Sequence, residues 1–170
     1  MLTGQELTSL ERVRNLEVDK KRPFHSANHE EILQGATTDI YFVRTYEILH
    51  HMGLGATPVV AEIFARRKGV LAGVGEALNL LAGREGLKVW SLTEGDEFEE
   101  KEVIMRIEGP YDKFGLYETV LLGFMASASG WATAARECRR AAGDTPLFCF
   151  GARHVHPAVA PVMERAALIG

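Results

Sequence analysis

Leu116-Tyr-Glu-Thr-Val-Leu-Leu-Gly-Phe-Met-Ala-Ser-Ala-Ser-Gly-Trp-Ala-Thr-Ala-Ala-Arg-Glu-Cys-Arg-Arg-Ala-Ala142, followed by Pro146-Leu-Phe-Cys-Phe-Gly151, is the stretch whose reading decides the fold. The first part has helical character throughout and is crowded with small residues from Ala126 to Ala135. Small side chains let a second element approach the helix backbone closely. Gly143-Asp144 ends the helix, and the short apolar run from Pro146 reads as a strand buried on both faces of a parallel sheet. Pro157 to Ile169 then reads as a helix with proline near its first turn. Helix, buried strand, loop and helix in this order resemble the opening of a (β/α) barrel.

Working upstream, Leu7, Leu10, Val13 and Leu16 recur at helical spacing within residues 5–19, and Pro23 to Gly35 reads as a polar, His-rich loop or arm. Thr38-Asp39 offers an N-cap to a helix from Tyr41 to Met52, which Gly53-Leu54-Gly55 stops. Thr57–Phe64 reads as a strand and Gly69–Leu81 as a helix. Leu87–Leu92 and Val103–Glu108 are strands separated by an acidic turn, Glu94–Glu100. The expected class is α+β: an amino-terminal helix and arm (1–35), an α/β sandwich domain (36–115), then a linking helix and the first strand-helix unit of an incomplete (β/α) barrel (116–170). One strand cannot close a barrel, so the 170 residues are expected to show no turnover alone.

Hydrophobic residues at 46% suffice for a packed core. A net charge of −4 supplies no general field for nucleic acid, and Arg136, Arg139 and Arg140 read as a solvated helix face. The charged start lacks the apolar segment of a secretory signal, and no run reaches the ~18 apolar residues of a membrane span. Cys138 and Cys149 read as buried thiols in a reducing compartment, so a cytoplasmic location is expected.

Three motifs carry a resemblance. Thr38-Asp39-Ile40-Tyr41 is one; Glu94-Gly-Asp96 with Ile107-Glu-Gly-Pro110, Glu118-Thr-Val-Leu-Leu122 and Ser129-Gly-Trp-Ala-Thr133 make the second; Phe150-Gly-Ala-Arg153 is the third. Over roughly residues 24–170 the chain resembles the quinolinate/nicotinate/nicotinamide phosphoribosyltransferase group, and within it the nicotinate phosphoribosyltransferases. The resemblance implies that nicotinate is joined to phosphoribosyl pyrophosphate to give nicotinate mononucleotide in NAD synthesis. It also implies Mg²⁺ as cofactor, ATP as co-substrate and a homodimer or higher homo-oligomer. Tyr41 and Phe150 would sandwich the pyridine ring across the dimer, Arg153 would hold the carboxylate, and Asp39 and His154 would complete the base and phosphate contacts. The chemistry suits these residue types. A planar aromatic acid needs π-faces above and below and a guanidinium matched to its carboxylate.

The choice of base rests on two positions. Where quinolinate enzymes of the group carry Glu-Arg-x-x-Leu, this chain has Glu118-Thr119-Val-Leu-Leu122, and where they carry Thr-Arg-Lys-Thr it has Ala152-Arg153-His154-Val155. Two cations are thereby lost, which favours a base with one carboxylate and makes quinolinate the alternative substrate. Two readings from other classes compete. His154-Val-His156 after a first barrel strand could open the metal site of a hydrolase, although later ligands would be required. The 94–108 region with Lys101 is similar to half of a non-catalytic biotinyl or lipoyl carrier, but Glu99, Glu100 and Glu102 surround that lysine.

Overall fold

The computed structural model describes residues 6–17 and 25–170, which divide into two compact units. The first comprises residues up to Val59 with 83–87 and 108–121; the second holds 60–82, 88–107 and 122–170. The chain passes between them within strand β1 (Pro58–Phe64), at 82–83 and 87–88, and within strand β5 (Val103–Pro110) and helix α5 (Glu118–Ala142).

In the first unit, Ser9 caps the short helix α1 (Leu10–Arg14) by accepting from the Arg12 amide at 3.2 Å. Helix α2 (His29–Leu33) begins in a reciprocal capping box: Asn28 and Glu31 each accept the other's backbone N–H at 2.8 Å. This helix corrects the expectation of a loop from Pro23 to Gly35. The expected helix over 5–19 shortens to α1, and its first residue and last two residues lie outside the described ones. Helix α3 (Ile40–His51) forms as the periodicity predicts and ends at Gly53, whose φ of 69° only glycine adopts without cost. Phe42, Val43, Phe114, Leu116 and Tyr117 are buried in this unit. The Tyr117 hydroxyl lies 2.8 Å from both Glu6 Oε1 and the Leu33 carbonyl oxygen, which share its single proton, while Arg84 lies 4.2 Å over its ring. Burial and the Glu6 bond push the Tyr117 phenol far above its ordinary range.

In the second unit, β1, β5 and β3 (Lys88–Ser91) form a three-stranded sheet in the order β1-β5-β3. A two-stranded antiparallel ladder pairs β2 (Gly69–Val70) with β4 (Glu97–Phe98). Strand β4 therefore lies inside the expected acidic turn. The helix expected from Gly69 begins only at Val74 (α4, Val74–Leu81), because residues 69–73 lie along α5. The small-residue face of α5 is what they lie on. Ser129 Oγ accepts from the Ala72 amide at 3.1 Å and donates to its carbonyl at 3.2 Å, and Thr133 Oγ1 accepts from the Val70 amide at 2.9 Å. Val70, Ala72, Ala128, Ala132 and Ala166 of helix α6 (Ala160–Ile169) form the core there.

Two expectations fail in the second unit. Pro146–Gly151 forms no strand, and Phe148 and Phe150 are 74% and 72% exposed. A buried strand must bond its amides on both sides, and among the described residues no strand pairs with this run. Cys138 and Cys149 are exposed, not buried, because one lies on the outer side of α5 and the other in that unpaired run. Among the described residues no helix is long and apolar enough to cross a membrane.

Candidate functional site

Asp39 and Tyr41 belong to the first unit, at the start of α3. Tyr41 is 55% exposed, and its ring lies tilted against that of buried Phe42 with 4.2 Å between centroids. Partial burial, then the charges of Asp39 and Glu118, hold its phenol above the usual tyrosine range. Burial likewise raises the Glu118 carboxyl, and Tyr111 is raised by burial and by Glu118 and Tyr41. The result is a neutral, outward-facing aromatic ring, available for stacking on a flat ligand. Its acidic surroundings were not anticipated from the sequence; Glu118 and Tyr111 lie some seventy residues or more beyond Tyr41 in the chain.

Phe150, Arg153 and His154 belong to the second unit. Phe150 stands at the N-cap of a 3₁₀ turn, Gly151–His154, that leads toward α6. Arg153 and His154 are exposed on it, so one short turn presents an aromatic face and a guanidinium together. A Cβ at Gly151 would stand 2.6 Å from the Met163 sulfur, which shows how closely this turn packs on α6. His156 is otherwise engaged: its Nδ1 accepts from the Ala158 amide at 3.1 Å and shapes the approach to α6. Among the described residues no group of three or more His, Cys, Asp or Glu side chains could hold a metal, so His154 and His156 stand without the further ligands a hydrolase would need.

Two features escaped the sequence reading. Arg66, Arg67 and Lys68 line a cavity of about 510 Å³ together with Phe64, Ser129 and Thr133, giving the second unit a cationic recess. The basic helix face is also partly engaged, since Arg136 and Arg140 both reach Glu97, at 2.9 and 2.5 Å. Glu94 makes the third ionic centre. Its carboxylate accepts from Arg165 at 2.5 and 3.2 Å and from the amides of Gly73 and Gly75 at the α4 N-terminus, at 2.8 and 3.4 Å.

The Arg165 bond, aided by the Gly75 and Gly73 amides, holds the Glu94 carboxyl below its ordinary range. The unfolded chain therefore binds this proton first, and the stabilisation is lost as pH falls through the folded-state value. Glu94→Gln is expected to cost about 1–3 kcal/mol at neutral pH, the usual worth of hydrogen bonds to a charged group. The penalty should shrink toward about pH 3, where the wild-type carboxyl is protonated when unfolded. Urea denaturation of both proteins at the two pH values measures this, and equal penalties would count against it.

Against this geometry, comparison with known proteins is informative. The sequence profile described as quinolinate phosphoribosyl transferase, N-terminal domain, matches residues 39–129. Among solved structures, nicotinate-nucleotide pyrophosphorylase from Pyrococcus furiosus is 43% identical with a TM-score of 0.81, over 86% of this chain and 39% of its own. NadC from Streptococcus pyogenes is 20% identical, TM-score 0.61, over 71% and 45%. Nicotinate-nucleotide pyrophosphorylase from Ehrlichia chaffeensis is 19% identical, TM-score 0.62, over 86% and 54%. The last two support the fold alone. The chain thus spans about two fifths to one half of the length of these relatives.

Proposed function

The chain belongs to the quinolinate phosphoribosyl transferase N-terminal domain family, and from that premise we propose that it serves a phosphoribosyltransferase of NAD synthesis whose pyridine base is quinolinate. The observation that carries this reading is the family match over residues 39–129. The 43% identical pyrophosphorylase supports it, and both favour quinolinate over the nicotinate expected from the motifs. Quinolinate has two carboxylates and a nicotinate nucleotide one, so the reaction joins the ring nitrogen to the anomeric carbon of phosphoribosyl pyrophosphate, expels pyrophosphate and releases one carboxylate as CO₂, a proton taking its place on the ring carbon.

The protein's contribution in this chemistry is positioning and charge stabilisation. Phe150 and Tyr41 hold the ring, Arg153 pairs with a carboxylate, and His154 stands beside it to meet phosphate oxygens. Tyr41 acts from a second subunit in a homodimer under this reading. Mg²⁺ would assist pyrophosphate departure in such a reaction, but the described residues contain no cluster that fits it, so no step runs through the ion here.

A second reading, nicotinate as base with ATP as co-substrate, rests on one observation. Thr119, at the place of a substrate-facing cation, is neutral and is bonded to Asp39. Steady-state kinetics of the complete enzyme on quinolinate, nicotinate and nicotinamide decide between them. The expected result is kcat/KM for quinolinate about a hundredfold or more above either other base, the discrimination available when a buried charged group loses its partner. A higher value for nicotinate would move the assignment to the second reading.

A further inference from the structure

The start of α3 is held by a residue eighty positions away. Asp39 is its N-cap residue, yet its side chain makes no capping bond to the helix. Instead, the Asp39 amide donates to Thr119 Oγ1 at 3.1 Å, and the Thr119 hydroxyl donates to Asp39 Oδ2 at 2.9 Å. The Thr38 hydroxyl also donates to Thr119 Oγ1, at 3.5 Å. The Thr119 hydroxyl thus accepts from Asp39 and Thr38 and donates once, which uses its single proton and both lone pairs. All these groups belong to the first unit.

Tyr41 follows Asp39 by two residues, and its ring lies against that of Phe42. With Tyr41 55% exposed, the direction of its ring depends on where the first turn of α3 is held. We propose that Thr119 is a positioning residue that sets the direction of the Tyr41 ring through a two-way hydroxyl clasp on Asp39. The functional consequence rests on the reading above, in which that ring stacks on the base. The threonine hydroxyl meets both demands with one atom. Valine can neither donate nor accept, and a cation in its place has no acceptor for the Asp39 amide.

The test compares Thr119→Val, Thr119→Ala and Thr119→Ser with wild type in the full-length protein. One readout is structural: amide exchange at Asp39 and the NMR shifts of the Tyr41 ring protons, which the Phe42 ring displaces. The other is the KM for the pyridine base. Thr119→Val and Thr119→Ala are expected to speed Asp39 exchange about tenfold and to move the Tyr41 shifts, the effect of losing one hydrogen bond. KM should rise about tenfold with kcat within about twofold, as for lost binding alone. Thr119→Ser should restore all three. Unchanged Tyr41 shifts in whichever of the Val and Ala variants folds overturn the proposal, and so does a Ser variant that behaves like Val. Tyr41→Ala separates the two layers: if it leaves KM unchanged, base stacking by Tyr41 fails, while the ring shifts still decide whether Thr119 positions it.

Discussion

Arg153→Ala is expected to lower kcat/KM for the pyridine carboxylate about a hundredfold or more in the complete enzyme. Arg153 is exposed on the Gly151–His154 turn, and no ion pair engages it among the described residues. Its truncation should therefore leave the fold intact, because it removes no packing contact that the second unit depends on. The loss falls on the bound substrate. A carboxylate drawn from water without its guanidinium costs several kcal/mol, and about 2.7 kcal/mol already corresponds to a hundredfold. Arg153→Lys keeps the charge but not the two-pronged geometry, so it should recover only part of the activity. Steady-state kinetics of both variants, beside thermal unfolding to verify the fold, provide the check. An undiminished rate in Arg153→Ala would remove Arg153 from the site.

The other large effect concerns folding. Gly73 has φ of +87°, and a Cβ there would stand 2.4 Å from the Phe124 carbonyl oxygen and 3.2 Å from the Ala128 Cβ. The left-handed backbone alone costs a non-glycine residue roughly 1–2 kcal/mol. The clash is with helix backbone, which has no side-chain freedom to yield. Relief would require residues 69–73 to lift from α5, which breaks the Ala72–Ser129 and Val70–Thr133 hydrogen bonds. Gly73→Ala is expected to lose about 3–5 kcal/mol in all, in the range of severe core substitutions. The melting temperature should fall by roughly 10 °C. Gly75 is the control, since a Cβ there meets nothing within 4 Å and its φ is not positive. Gly75→Ala should be neutral or slightly stabilising, as in any helix. Equal losses in the two variants, measured by chemical denaturation, would show that the close approach at Gly73 contributes nothing.

The sequence by itself was sufficient wherever a local period or a local cap decides. Helix α3, strands β1, β3 and β5, the long helix α5 and α6 all lie close to where hydrophobic spacing and glycine stops put them. The small-residue run of α5 correctly announced a close neighbour, because Ala128, Ser129 and Ala132 leave room that some other backbone must fill. The mixed helix and sheet class followed from those elements. The three motifs likewise pointed to the phosphoribosyltransferase group in which the matched family lies.

Only the tertiary structure decided what depends on partners distant in the chain. Pro146–Gly151 has the composition of a buried strand, but strand state depends on neighbouring strands, and composition does not say whether they exist. Cys149, Phe148 and Phe150 are exposed for the same reason. Residues 69–73 carry a helical period, yet the Ser129 and Thr133 hydroxyls offer their amides better-placed partners than a helix would. Thr119 could be read from the sequence only as a missing cation. Its bonds to Asp39 join positions eighty residues apart, and a hydrogen bond across that separation exists only once the chain has folded.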